Sequence, residues 1–280
     1  MKIKTVWGVY FSPTGTTEKI VTCIAETAAK NLRAECKTYS FNLPNARVQP
    51  LNFSKEELVV FGVPVYAGRV PNVLLPFIKG KVIGNGAIAT PIIMFGNRNF
   101  DDALIELRDI LQGNGFHTIS AGAFVGEHSF STILGAGRPD AGDIAIAVKL
   151  GEKTARKIEN MQNPPAQAVA VAGSEPIRPY YTPRDRHGNP ISILKVKPKT
   201  DMSKCSDCGL CSKICTMGSI NRADISEVTG ICIKCCACVK KCPAQAKFFD
   251  DEGYIYHKRE LEDTYKRKAS AELFVSIQDR

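Results

Sequence analysis

The first 160 residues alternate short apolar runs with longer segments in which apolar residues recur every three or four positions. Runs over 3–11, 34–40, 58–63, 87–95 and 119–125 read as strands, apolar enough to be buried on both faces. A helix over 17–31 puts Ile20, Val21, Ile24 and Ala28 on one face, with Leu32 following. A second over 100–112 does the same with Ala103, Leu104, Leu107, Ile110 and Leu111, and a third covers 142–161. Strands alternating with helices predict an α/β domain, a doubly wound sheet of five parallel strands covered on both faces.

The pattern stops at residue 163. Pro164, Pro165, Pro176, Pro179, Pro183, Pro190 and Pro198 punctuate 163–202 without periodicity, as in a linker that wraps between domains. A cysteine-rich unit over 203–250 follows, then a mixed-charge tail over 251–280 with a helix expected from 258 to 268. A length of 280 residues fits one large domain plus a small one, and 44% hydrophobic with 23% charged residues fits a chain with a proper core.

No apolar stretch reaches the roughly 18 residues that span a bilayer, so no membrane span is expected. The start Met1-Lys2-Ile3-Lys4 leads into a strand without a small-residue cleavage site, which predicts a cytoplasmic protein. The net charge of +9 is spread as +4 over 1–162, +3 over 163–202, +3 over 203–250 and −1 over 251–280. No helix concentrates Lys and Arg with interleaved aromatics, so nucleic acid is not an expected partner.

Nine of the eleven cysteines lie between Cys205 and Cys242. One spacing occurs twice: Cys205-x2-Cys208-x2-Cys211-x3-Cys215, then Cys232-x2-Cys235-x2-Cys238-x3-Cys242-Pro243. Thiolates are soft donors, and a spacing of two wraps three of them around one iron-sulfur cube. Zinc also takes paired Cys-x2-Cys, but its sites want four thiolates per ion without a third cysteine at equal spacing. Over about forty residues the segment resembles the bacterial-type ferredoxins with two 4Fe-4S clusters, α+β domains that carry single electrons at low potential. In that family the last cysteine of each run crosses to the other cluster. The resemblance therefore implies Cys205, Cys208, Cys211 and Cys242 for one cluster, and Cys215, Cys232, Cys235 and Cys238 for the other. Thr216 departs from the pattern by replacing the proline that follows the fourth cysteine. Cys236 has no role in it, and Cys23 and Cys36 are expected to be small buried thiols.

Ser12-Pro13-Thr14-Gly15-Thr16-Thr17 joins the first strand to the first helix, so amides and hydroxyls converge at a helix N-terminus, where an anion belongs. The loop lacks the Lys of a nucleotide P-loop and the three glycines of a dinucleotide site. It resembles the FMN-phosphate loop of flavodoxins, which implies strand order 2-1-3-4-5 and a flavin at the carboxyl ends of the strands. Ser12, Thr14, Gly15, Thr16 and Thr17 would hold the phosphate. Pro64, Val65, Tyr66, Ala67 and Gly68 follow strand three, with Tyr66 expected to stack on the ring and the backbone of Ala67 and Gly68 to lie near its N5. Gly96, Asn97, Arg98 and Asn99 follow strand four and would meet the pyrimidine edge. His128, after strand five, is a candidate acid, Arg69 and Arg98 candidate counter-charges, and Trp7 a core residue.

The whole arrangement looks like the flavodoxin-ferredoxin fusion proteins of anaerobes, over roughly residues 1–250. That resemblance implies electron transport between two 4Fe-4S clusters and FMN, with no catalytic residue and with redox proteins, acidic at the docking face, as partners. Bound clusters and a flavin phosphate would cancel much of the basic charge. The alternative is an FMN-dependent reductase of a small acceptor such as a quinone or flavin. An iron-sulfur sensor acting on nucleic acid would need a DNA-binding element, and none is visible.

Overall fold

The computed structural model describes residues 1–275. Its first part runs β1 (Thr5–Tyr10), α1 (Thr16–Leu32), β2 (Glu35–Ser40), β3 (Glu57–Pro64), α2 (Leu75–Lys81), β4 (Ile88–Phe95), α3 (Ala103–Gly113), β5 (Ala121–Val125) and α4 (Ala141–Asn160). The expected strands and helices are present within a few residues, and α2 is additional. The fifth strand is interrupted: 117–118 and 121–125 both pair with β4.

The five strands are parallel in the order β2-β1-β3-β4-β5, with Tyr10 beside Ser40 and Gly62, Pro64 beside Met94, and Phe95 beside Val125. That register brings the loops after β1, β3, β4 and β5 to one end of the sheet. Alternate side chains feed two cores. Phe11, Phe61, Val63, Ile93 and Phe95 pack with α2 and α3 on one face, and Val6, Val60, Ile92 and Met94 pack with α1 and α4 on the other. Gly62 lets α1 lie close to the sheet, since a Cβ there would meet Val21 at 2.3 Å.

The cysteine-rich unit contains β6 (Lys199–Thr200), the one-turn helices α5 (Leu210–Lys213) and α6 (Ala237–Lys240), and β7 (Lys247–Phe248), which pairs antiparallel with β6. After it come α7 (Glu252–Thr264) and β8 (Glu272–Phe274). Two expectations about the tail need correction. The helix begins six residues before 258, because the Asp251 side chain caps it by accepting from Tyr254 N–H at 2.8 Å. The sheet has a further strand, because β8 returns and pairs antiparallel with β5, Phe274 opposite Ala121.

Cys36 is exposed rather than buried, since β2 is the edge strand of the sheet and its side chains are almost all outward; Cys23 is half-buried. Trp7 is half-buried, its Nε1–H donating to Glu57 Oε1 at 2.8 Å and its ring edge-on to Phe53. Among the described residues no helix is long and apolar enough to cross a membrane.

The proline-rich segment is fastened to the first domain along its first half. Val169 N–H donates to Thr118 O at 2.9 Å, Tyr180 Oη–H to Val70 O at 2.8 Å, and Tyr181 N–H to Ala67 O at 2.8 Å. Asp102, 1% exposed, is the main anchor: it accepts from Ser174 N, Arg178 N and both Arg178 Nε and Nη2 at 2.6–2.9 Å. The Arg178 guanidinium, with the backbone N–H groups, holds the Asp102 carboxyl well below the usual carboxylate range. A depressed folded-state value means its stabilisation is complete above about pH 4 and is lost as pH falls further. Asp102→Asn is expected to cost about 1–3 kcal/mol in urea unfolding at neutral pH, with the deficit against wild type narrowing below about pH 4.

Candidate functional site

Every element of the cysteine-rich unit has a counterpart at the same offset. Asp207 and Lys234 are left-handed at φ 49° and 54°, Gly209 and Cys236 at 67° and 57°, and Gly218 and Gln245 at 62° and 51°. Gly209 and Cys236 sit at the N-terminal ends of α5 and α6, and Cys211 and Cys238 are the second residues of those helices. The fourth cysteine of each run accepts a backbone N–H: Ser219 N to Cys215 Sγ and Ala246 N to Cys242 Sγ, both at 3.3 Å. A left-handed residue between successive cysteines turns the chain back, so the thiols face inward.

They face two hollows. The first, of about 360 Å³, gathers Cys205, Cys208, Cys211 and Cys242, with Cys238 reaching it from the other run. The second, of about 390 Å³, gathers Cys215, Cys232, Cys235 and Cys238, with Cys236 also on its wall. Among the described residues no trio of His, Cys, Asp or Glu converges on a single-ion position. The walls also carry Leu210, Ile214, Ile225, Lys241 and Lys247 in the first and Ile220, Val228 and Phe249 in the second. Burial pushes the Cys211, Cys232, Cys235 and Cys238 thiols up, and Cys236 to about 12. Desolvation also acts on Cys242, but N–H groups of Ala246, Lys247, Ala244 and Gln245 bring it below the ordinary value. Buried thiols of this kind stay protonated unless a bound cation takes the place of the proton.

A third hollow, of about 450 Å³, opens at the carboxyl ends of the strands. Thr14, Thr16 and Thr17 line it from the first loop; Pro64, Val65 and Tyr66 from the loop after β3; Met94, Phe95 and Gly96 from the end of β4; and Gly126, Glu127, His128 and Ser129 from the loop after β5. Gly15 is left-handed at φ 100°, with open space where a Cβ would project. Ser12 supports the loop from beneath, its Oγ accepting from Glu18 N–H at 2.9 Å and its N–H donating to Asn42 Oδ1. The first amides of α1 have no acceptor within their own helix, and that of Glu18 is taken by Ser12 Oγ.

The remaining expected residues are not on its wall. Tyr66 to Arg69 form a tight turn closed by two backbone hydrogen bonds, with Ala67 and Gly68 left-handed. Gly68 lies where a Cβ would strike Asp101 Oδ2, and its carbonyl accepts from Asp102 N–H. Asn97 is committed to the tail, donating to Tyr265 O and Arg267 O and accepting from Ala269 N–H. Arg98 pairs with Asp101 and lies over the Tyr181 ring, while Asn99 Oδ1 accepts from Asp101 N–H. Arg69 is bidentate on the buried Glu106 at 2.7 Å. Neither arginine is a free counter-charge.

The sequence places the loop from Gly126 to Ser131 on the ligand side, where Gly126, Glu127, His128 and Ser129 are found; Met94 and Phe95 were missed as wall residues, and so was the junction of the two units. Cys235 lines both the second and third hollows. Tyr66 lies beside it: burial, then the neighbouring Cys235, Cys236 and Cys232, raise its phenol well above the ordinary value. His128 is held neutral by burial, its value lowered to about 3, with Lys240 adding to the shift. Its Nδ1 accepts from Phe130 N–H at 3.1 Å, which places the ring proton on Nε2. Lys240, two residues past Cys238, reaches across to the loop after β5. Its Nζ donates to Glu127 Oε1, His128 O and Ser131 O at 2.5, 2.7 and 2.9 Å. Arg47 Nη2 makes a second crossing to Thr216 O at 2.6 Å.

No family model matches the chain, and no curated protein matches it. Among solved structures, an archaeal flavodoxin is similar at 15% identity and a TM-score of 0.42, over 56% of this chain and 99% of its own. A flavodoxin of Streptococcus pneumonia TIGR4 is similar at 17% identity and 0.39, over 55% and 99%. Rubredoxin oxygen:oxidoreductase from the anaerobe Desulfovibrio gigas is similar at 16% identity and 0.41, over 57% of this chain and 37% of that longer one.

Replacing Lys240 by Met keeps the stem and removes the three crossing bonds. Amide exchange over 127–134 is expected to rise at least about tenfold, since one hydrogen bond to a charged group contributes about 1.5–3 kcal/mol. Unchanged exchange would mean the loop is held by other contacts.

Proposed function

We propose that the chain is an electron-transfer flavo-iron-sulfur protein, with a ferredoxin-like unit whose two 4Fe-4S clusters exchange electrons with FMN in the sheet domain. The observation that carries this reading is that two thiol-lined hollows share Cys238, and the second of them shares Cys235 with the hydroxyl-lined one. When bound, the clusters would carry one electron each and FMN one or two.

The chain's own residues bind, orient and exclude water. Cys205, Cys208, Cys211 and Cys242 would hold one cluster, and Cys215, Cys232, Cys235 and Cys238 the other. Apolar neighbours shield these cysteines from solvent except at Cys208, which is exposed, and the N–H groups of Ser219 and Ala246 stabilise the sulfurs that close each set. Thr14, Thr16 and Thr17, with the first amides of α1, suit a phosphate monoester. Tyr66, Met94 and Phe95 offer the broad apolar contact that a flavin ring needs, and neutral His128 has a ring N–H to donate.

After anaerobic purification and supply of iron, sulfide and FMN, analysis is expected to find about eight irons, eight sulfides and one FMN per chain. Cys211→Ser and Cys215→Ser should each lose about half the iron. Thr16→Ala should weaken FMN binding by about tenfold, the equivalent of one hydrogen bond of about 1.4 kcal/mol. Zinc in place of iron would sink the relay; full iron with no FMN taken up would leave the sheet domain to another ligand.

A further inference from the structure

We propose that the three hollows form a single line for electrons, and that a small iron-sulfur carrier protein with an acidic face docks at its far end, over Ser206, Asp207 and Cys208. This inference rests on the relay reading above.

The line follows from which residues the hollows share. Cys238 is on the wall of the first and the second, and Cys235 on the wall of the second and the third. Among the described residues the first and third have no wall residue in common. The second is therefore the step between them.

The two ends of the line differ in access. At the sheet end, Lys240 pins the loop after β5, and Asn97 holds the tail at Tyr265, Arg267 and Ala269 over the loop after β4. At the other end Cys208 is exposed, as are Ser206 and Asp207 beside it. A protein donor comes closest to a cluster thiol there.

Charge selects the partner. The charged residues on the wall of the first hollow are Lys241 and Lys247, with no acid among them. Lys204, Lys213 and Lys241 are exposed around the same unit. Lys204 is paired with Asp201, whereas Lys213 and Lys241 make no ion pair among the described residues. Asp207 lies beside Cys208 and is exposed, and Asp201 is taken by Lys204. The exposed basic residues of the tail are differently placed: Lys266 pairs with Asp263 and Lys268 with Asp140. Interfaces for passing electrons are small and transient, so a few unpaired lysines are enough to steer docking.

In each encounter the donor loses one electron and the first cluster gains it; the electron then moves by way of the second to the flavin. Two encounters, with two protons from water, complete reduction of FMN.

The experiment uses the full chain with its iron and flavin contents measured beforehand, and a reduced acidic two-cluster ferredoxin as donor. Zero-length carbodiimide cross-linking is expected to join donor carboxylates to Lys204, Lys213 and Lys241. Lys204→Glu with Lys213→Glu should cut both the cross-link yield and the rate of flavin reduction by about tenfold or more at low salt. Lys2→Glu with Lys55→Glu, at the amino ends of the strands, should change neither. Cross-links at Lys266 or Lys268, or an unaltered yield in the Lys204/Lys213 variant, would overturn the docking inference while full iron and FMN left the relay reading standing. A chain that holds neither cofactor would overturn both.

Discussion

Lys240 is where two differently built halves become one device. Its ammonium is largely out of water and is satisfied by one carboxylate and two carbonyls of the loop after β5. A buried cation needs such partners, because an unpaired one would cost several kcal/mol. The loop in turn has no regular structure of its own from Gly126 to Asp140, so its shape depends on what it is bonded to. Glu127, His128 and Ser129, which line the third hollow, are therefore positioned by a residue of the cysteine-rich unit. The junction at Cys235 and Tyr66 lies beside the same contact.

The cysteine-rich unit meets a different constraint. Each run reverses sharply between its cysteines, with left-handed backbone at matching positions in both halves. Glycine fills two of these at no cost, but Cys236 occupies the counterpart of Gly209 at φ 57°. What compensates is packing: Cys236 is buried against Phe249 and Tyr254, with its Sγ 3.4 Å from Lys234 O and 3.5 Å from Tyr254 Oη. Tyr254 belongs to α7, so the thiol that the array does not need ties the unit to the helix that follows it. Phe130, from the loop after β5, packs tilted against the same tyrosine, ring centroids 4.7 Å apart.

The tail completes the sheet domain. β8 covers the edge that β5 would otherwise present, and an exposed edge invites pairing with other chains. On the way there the chain passes Asn97 and Arg138. Arg138 is buried, pairs with Asp143 and donates to Ala269 O. Residues expected at a flavin edge thus serve to hold the chain's own C-terminal segment.

Elements whose signals are local were legible in the chain before folding. Continuous apolar runs and period-3.6 patterns located five parallel strands and the helices between them, the doubled cysteine spacing marked the repeated unit, and the loop at Ser12 to Thr17 marked a helix N-terminus. Features that depend on contacts between distant parts of the chain carried no such signal. Asn97 turned to the tail because Tyr265, Arg267 and Ala269 were brought beside it, Gly68 met Asp101, and Cys36 fell on the outer strand. The return of the tail as β8 had no local mark either, since three residues carry too short a pattern to announce a strand. Cys235 reads in sequence as one more ligand. That it also forms the wall of the third hollow is set by how one unit docks on the other, and docking is a property of two surfaces rather than of any motif.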